Sequence, residues 1–285
     1  MAVPAPVGAA IIWFHGLGDT RVCYWERRFG ASSLGAYFGN GGVRFLEPRA
    51  PPGRAPVQAV RNYGCKKSEK IKNSVVELAL QEEAKETTVP SWFDIPVLPI
   101  GQQTDARDAG NGLGPSGLTA SVEIAHGIAA SLERDHGIPS HKILFGGFSQ
   151  GGALAIEAGT TYERPCGGIV SISGWWPRRS SISRPSRTNT STGKAAGDGM
   201  NDCQRVPIFF SSGTSDPVVL YSEAKASCEA LIRAFSPGTV RSSVLHVCDV
   251  TCKKVQRGKH MPSSAELESC ATWIMDRILA PVDEQ

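Results

Sequence analysis

Within the run KILFGGFSQGGALAIEAG, Gly147 and Gly151 stand two residues to either side of Ser149; a strand-like stretch from Ile143 precedes it and a helix-forming stretch follows. G-x-S-x-G in strand–turn–helix context is the pattern of a nucleophile elbow, a turn so sharp that the serine backbone is strained and bulk two residues away is excluded. The hydroxyl then projects above the sheet, beside the positive end of the next helix. A serine attacks a carbonyl only when a base takes its proton and a third group orients that base. Two histidines follow Ser149 in the chain. His246 sits in the alternating run SSVLHVCDV, which reads as a buried strand, whereas His260 sits in the loop RGKHMPSS, from which a side chain can reach over the sheet. His260 is the expected base. Asp216, in VPIFFSSGTSDPVV, follows an apolar strand and a glycine turn and is fixed by Pro217, so it is the expected orienting acid. Asp198 and Asp202 fall in a polar insertion, and Asp249 comes too close to His260 in sequence.

Acyl transfer also requires donors for the developing oxyanion, usually the amide after the nucleophile and one from a loop after an early strand. Here these are the backbone N–H groups of Gln150 and of Leu17 in HGLGDT. His15, in the same turn, is expected to shape the loop through a hydrogen bond rather than to serve as a second base.

These residues need a sheet to carry them. Short apolar runs alternate with helical patterns, as in a mostly parallel sheet covered on both faces. Strands are read near 9–14, 43–46, 143–148, 168–172, 207–211 and 243–248. A helix is read over 118–135, where Leu118, Val122, Ala125, Ala129 and Leu132 share a face and Gly137 and Pro139 stop it. Others follow Ser149, span 222–235, and close the chain over 263–279, where Ser263 and Glu266 have capping-box spacing and Leu267, Cys270, Ile274 and Ile278 form the buried stripe. Two segments interrupt the alternation. The first, about 53–89, ends in a charged helical stretch, SVVELALQEEAKE, read as a solvated surface helix in preference to a lid; the second, about 178–205, is rich in Ser, Thr, Arg and Gly and is expected to be loosely held.

The 285 residues, 41% apolar and 20% charged, suffice for one domain, 1–285, carrying these two insertions. A net charge of +3 is too mild for a nucleic-acid ligand. No run approaches the roughly 20 apolar residues of a membrane span. MAVPAPVGAAIIWFHG lacks a basic leader region and Ala2 stands where myristoylation needs glycine, so neither an export nor a myristoyl signal is expected. The eight cysteines are sparse, so reduced thiols in a cytoplasmic setting are expected. Cys248 and Cys252 lack the further ligands a zinc site needs, so no metal is expected.

Taken together, FHGLGDT (14–20), PSWFDI (90–95), GGFSQGGALA (146–155), GTSDPVV (213–219) and the late His260 resemble the acyl-protein thioesterase and lysophospholipase-like carboxylesterase family, over most of the chain outside the insertions. The resemblance implies an α/β-hydrolase fold and a cofactor-free Ser149-His260-Asp216 esterase, with Leu17 and Gln150 at the oxyanion hole. It also implies removal of fatty acyl groups, palmitoyl among them, from S-acylated protein cysteines, or hydrolysis of simple acyl esters. Arg21 departs from the family pattern, standing where a glycine usually follows GDT.

Trp92 and Phe93, in the Pro-broken run SWFDIPVLPIG, and Trp175 and Trp176 are candidate acyl-binding residues; acyl-channel wall and ordinary core packing both stay open for them. Two alternatives accompany the thioesterase reading: a short-chain carboxylesterase or lysophospholipase with the same triad, and a non-catalytic binding scaffold of this fold. The basic insertion at 178–205 suggests transient contact with anionic membranes, where each Lys or Arg contributes about 1 kcal/mol.

Overall fold

A computed structural model describes residues 8–38, 42–56, 86–95, 97–101, 115–178, 206–235 and 250–279. Six parallel strands form the central sheet in the order β2-β1-β5-β6-β7-β8. They are β1 (Ala9–Phe14), β2 (Val43–Leu46), β5 (Ile143–Phe148), β6 (Gly168–Ile172), β7 (Ile208–Gly213) and β8 (Val250–Val255). A separate antiparallel pair joins β3 (Pro52–Pro56) to β4 (Glu86–Pro90).

The inner strands read as continuous apolar runs because both of their faces are covered. Along β1, the period of two sends Ala10, Ile12 and Phe14 into one core cluster and Ala9, Ile11 and Trp13 into the other. The first cluster is closed by helices α3 (Leu118–His136), α4 (Gln150–Thr161) and α5 (Tyr221–Phe235), through Leu118, Leu132, Leu154 and Leu231 among others. The second is closed by α1 (Tyr24–Gly30) and α6 (Ser264–Ile278), through Trp25, Phe29, Leu267 and Ile274. A short helix, α2 (Gly35–Phe38), follows α1. This arrangement is the α/β-hydrolase fold.

Local signals set the element ends. Gly137 closes α3 in the left-handed conformation, its amide reaching the carbonyls of Glu133 and Leu132. Ser263 and Glu266 form a reciprocal capping box that starts α6 immediately after the His260 loop.

The structure corrects or extends the sequence reading in several places. Residues 243–248, read as a strand, lie outside the described residues; the edge strand that pairs with β7 is Val250–Val255. Its sequence, VTCKKV, carries lysines that blunt an exposed edge but disguise its strand character. Reduced thiols were expected throughout, yet Cys228 on α5 and Cys252 on β8 are joined by a disulfide, their Cα atoms 6.5 Å apart and so within bridging reach. Cys23, Cys166 and Cys270 are free. The ends of the first insertion form the β3–β4 pair, which lacks a local signature; the helix read within it, like residues 179–205 of the second, lies outside the described residues.

Candidate active site

The C-terminal ends of parallel strands are where this class of sheet offers a ligand crevice, and the expected residues gather there. Ser149 follows β5 with φ 55° and ψ −120°, a strained conformation for a non-glycine residue. Its amide donates to the Ile172 carbonyl at the end of β6, 2.8 Å away. The flanking glycines are required by contact: a Cβ on Gly147 would collide with the Gly151 carbonyl, and one on Gly151 would collide with the carbonyls of Phe14 and His15. The start of α4 is therefore pressed against the end of β1.

Asp216 sits after β7 and is buried. Its Oδ1 accepts the amides of Val218 and Val219 at 2.8 and 3.0 Å, leaving Oδ2 to face His260 Nδ1 at 2.8 Å. A carboxylate there accepts, so Nδ1 carries the ring proton and Nε2 is left to accept the Ser149 hydroxyl, 2.9 Å away. Phe148 packs on the imidazole, ring centroids 4.9 Å apart. The structure thus brings Ser149, His260 and Asp216 into one continuous chain of hydrogen bonds, with Ser149 only 7% exposed.

The turn after β1 lies against the elbow: a Cβ on Gly16 would stand 3.0 Å from the Phe148 ring and 3.6 Å from Ser149 Cβ. Among the described residues, the amides of Leu17 and Gln150 donate to no protein acceptor. Free N–H groups on both sides of a nucleophile are what an oxyanion requires.

His15 shapes this turn. Its Nε2 accepts the Ala50 amide at 3.1 Å, which leaves Nδ1 to donate to the Gly16 carbonyl at 2.8 Å. Burial pushes its pKa below the ordinary value near 6.5, keeping the ring neutral as these bonds demand. Arg21 forms a two-point ion pair with Asp19 and stacks over Tyr24, which gives this departure from the family glycine a structural use at the rim of the turn.

Trp92, Phe93, Trp175 and Trp176 are all buried in the core cluster on the α3–α5 side of the sheet. Trp92 donates its indole N–H to the His15 carbonyl at 2.9 Å, and Phe93 meets Trp175 edge to face. Sequence reasoning missed how SWFDIPVLPIG braces the site. The Gln150 side chain accepts the Trp92 amide and donates to Ser91 Oγ and the Phe93 carbonyl, fixing one end of the run to the elbow. At the other end, Ile100 exchanges backbone bonds with Val218 and Leu220, beside Asp216. Two further side chains went unread: Ser173 donates to the His260 carbonyl and Arg28 to the Pro262 carbonyl. The glycine that follows Ser173 is the one sequence hint of a tight turn there.

On α4, burial raises the Glu157 carboxyl to about 7 although Arg178 faces it, with its amide 3.0 Å from Oε1 and its guanidinium 3.7 Å from Oε2. Among the described residues, no group of three or more His, Cys, Asp or Glu is placed to hold a metal ion, and no helix is long and apolar enough to cross a membrane.

Comparison with known proteins identifies the family. A sequence profile of the phospholipase/carboxylesterase family matches residues 77–274. The chain is 30% identical over 270 residues to a probable carboxylesterase SOBER1-like of Arabidopsis thaliana, covering 94% of this chain and 78% of that protein. It is 25% identical over 275 residues to acyl-protein thioesterase 1 of Cryptococcus neoformans, covering 95% and 92%. Among solved structures, Arabidopsis thaliana SOBER1 superposes with a TM-score of 0.61 at 24% identity, covering 95% of this chain and 99% of that one. Zea mays acyl-protein thioesterase 2 gives 0.61 at 19% identity, covering 97% of each. At these identities the structural likeness speaks for the fold.

Proposed function

We propose, from the premise that the chain belongs to the phospholipase/carboxylesterase family and is a serine hydrolase, that it hydrolyses fatty acyl thioesters and removes palmitoyl groups from S-acylated protein cysteines. The observation that carries this reading is the unbroken relay from Asp216 through His260 to Ser149, at 2.8 and 2.9 Å, beside the unpartnered amides of Leu17 and Gln150.

Ser149 Oγ attacks the thioester carbonyl as its proton passes to His260 Nε2. Asp216 stabilises the imidazolium, and the amides of Leu17 and Gln150 receive the negative oxygen; losing one such donor costs on the order of a hundredfold to a thousandfold in rate. The cysteine thiolate leaves readily and takes the proton held on His260 Nε2, which restores the neutral base. Water, deprotonated by His260, then attacks the acyl-Ser149 ester and frees the fatty acid. On this reading the enzyme works in the cytoplasm, in transient contact with membrane surfaces where acylated proteins reside, and the Cys228–Cys252 disulfide is an exception beside the free Cys23, Cys166 and Cys270.

The burial of Trp92, Phe93, Trp175 and Trp176 favours a second reading, a short-chain carboxylesterase. The two are separated by turnover of a palmitoyl-cysteine peptide beside oxygen esters of short and long chain, with wild type and Ser149→Ala. The proposal expects Ser149-dependent thioester cleavage that rises with acyl length. Turnover confined to short oxygen esters makes the protein a general carboxylesterase, and turnover of neither supports a binding scaffold.

A further inference from the structure

We propose that Ser173 is a positioning residue for His260, holding the histidine loop from the end of β6; the proposal rests on His260 being the general base. Ser173 has φ 53°, in the left-handed region, and is 2% exposed. An L residue with a Cβ resists that conformation, whereas glycine enters it freely. Ser173 is held there on two sides. Its amide donates to the Ser211 carbonyl of β7 at 2.8 Å, and its hydroxyl donates to the His260 carbonyl at 2.7 Å. Strain that surrounding structure enforces at the mouth of a site is commonly part of how that site works, and a hydroxyl is what serine adds at a position glycine would meet without strain.

The His260 ring must stay within hydrogen-bond distance of two partners at once, Asp216 and Ser149, from a loop that leaves an edge strand. Two bonds to the ring fix its plane but leave the backbone beneath it free to slide. The bond from Ser173 removes that freedom at His260 itself. Two residues on, Arg28 of α1 donates to the Pro262 carbonyl at 2.8 Å, so the loop is gripped at two points. Without the grip, the imidazole drifts from Ser149 by distances at which proton transfer is already impaired.

Glycine and alanine at position 173 separate positioning from mere support. Ser173→Gly deletes the hydroxyl and also relieves the strain, so the variant folds; Ser173→Ala deletes the hydroxyl and keeps the strain. The proposal expects Ser173→Gly to melt within a few degrees of wild type while kcat falls about tenfold or more, the scale set by small misplacements of reacting groups. KM should stay within about twofold, because the bond that is lost runs to the His260 backbone carbonyl. The low-field proton resonance of the His260 Nδ1–H to Asp216 bond should broaden in Ser173→Gly. Since that resonance is read without turnover, it tests the grip even if His260→Ala shows that another group is the base. A Ser173→Gly enzyme with kcat within twofold of wild type, or with an unchanged low-field resonance, would overturn the proposal.

Discussion

Replacing Asp216 by asparagine tests the relay through a proton that the structure places on a particular atom. Oδ1 accepts two backbone amides, those of Val218 and Val219. An NH2 group cannot face two N–H donors, so the asparagine oxygen must take that position and its NH2 must face His260 Nδ1. That nitrogen then has to accept, the ring proton moves to Nε2, and the atom 2.9 Å from the Ser149 hydroxyl can no longer take its proton. The wrong tautomer costs a Ser-His-Asp hydrolase about 10⁴-fold in kcat, equivalent to about 5 kcal/mol of transition-state stabilisation. Both amide bonds persist, so the melting temperature should move by only a few degrees. Steady-state hydrolysis of a chromogenic acyl ester, with thermal melting as the control, reads both quantities. An Asp216→Asn enzyme that folds normally and keeps kcat within tenfold of wild type would refute the assignment of the tautomer and of Asp216.

Three other outcomes follow from the packing and electrostatics. Gly151→Ala drives a methyl group into the carbonyls of Phe14 and His15; it should cost about 3 kcal/mol by denaturant midpoint and most of the activity, because α4 can yield only by lifting off β1. Glu157, raised to about 7 from an ordinary 4.5, holds a proton in the folded chain that the unfolded chain has lost, so its contribution to stability falls as pH rises through that window. His15, lowered from 6.5, acts oppositely: the unfolded chain takes up a proton that the fold resists, and stability falls as pH drops below about 6.5. Melting temperatures across this range should show Glu157→Gln losing the first slope while retaining the second. Finally, reducing the Cys228–Cys252 disulfide, which spans 24 residues, should lower stability by about 3 kcal/mol on the loop-entropy relation, measured by unfolding with and without a thiol reductant.

What the sequence disclosed about this molecule depends on how local each requirement is. The elbow is legible because its needs fall within five residues: two glycines against steric collision, a strand before and a helix after. The central strands are legible because burial on both faces makes them apolar throughout. His260 could be separated from His246 by its setting in a loop before a capped helix. The edge strand β8 was not legible, since one open side lets it carry Lys253 and Lys254. The β3–β4 pair joins segments that meet only in space. Proximity of the same kind brought Cys228 to Cys252 when neither side chain advertised a partner. Ser173 and Arg28 were missed for a related reason: each reaches a carbonyl 87 or 234 residues away, and a backbone carbonyl has no residue type to recognise.

On the proposed mechanism, Ser149 becomes acylated by a long-chain thioester. Mixing the enzyme briefly with a palmitoyl thioester, quenching in acid and mapping the adduct by mass spectrometry tests this directly. A palmitoyl group is expected on the peptide containing Ser149, absent from Ser149→Ala and accumulating in a variant impaired in deacylation. Thioester turnover with the adduct on another residue, or turnover that survives Ser149→Ala, would contradict it.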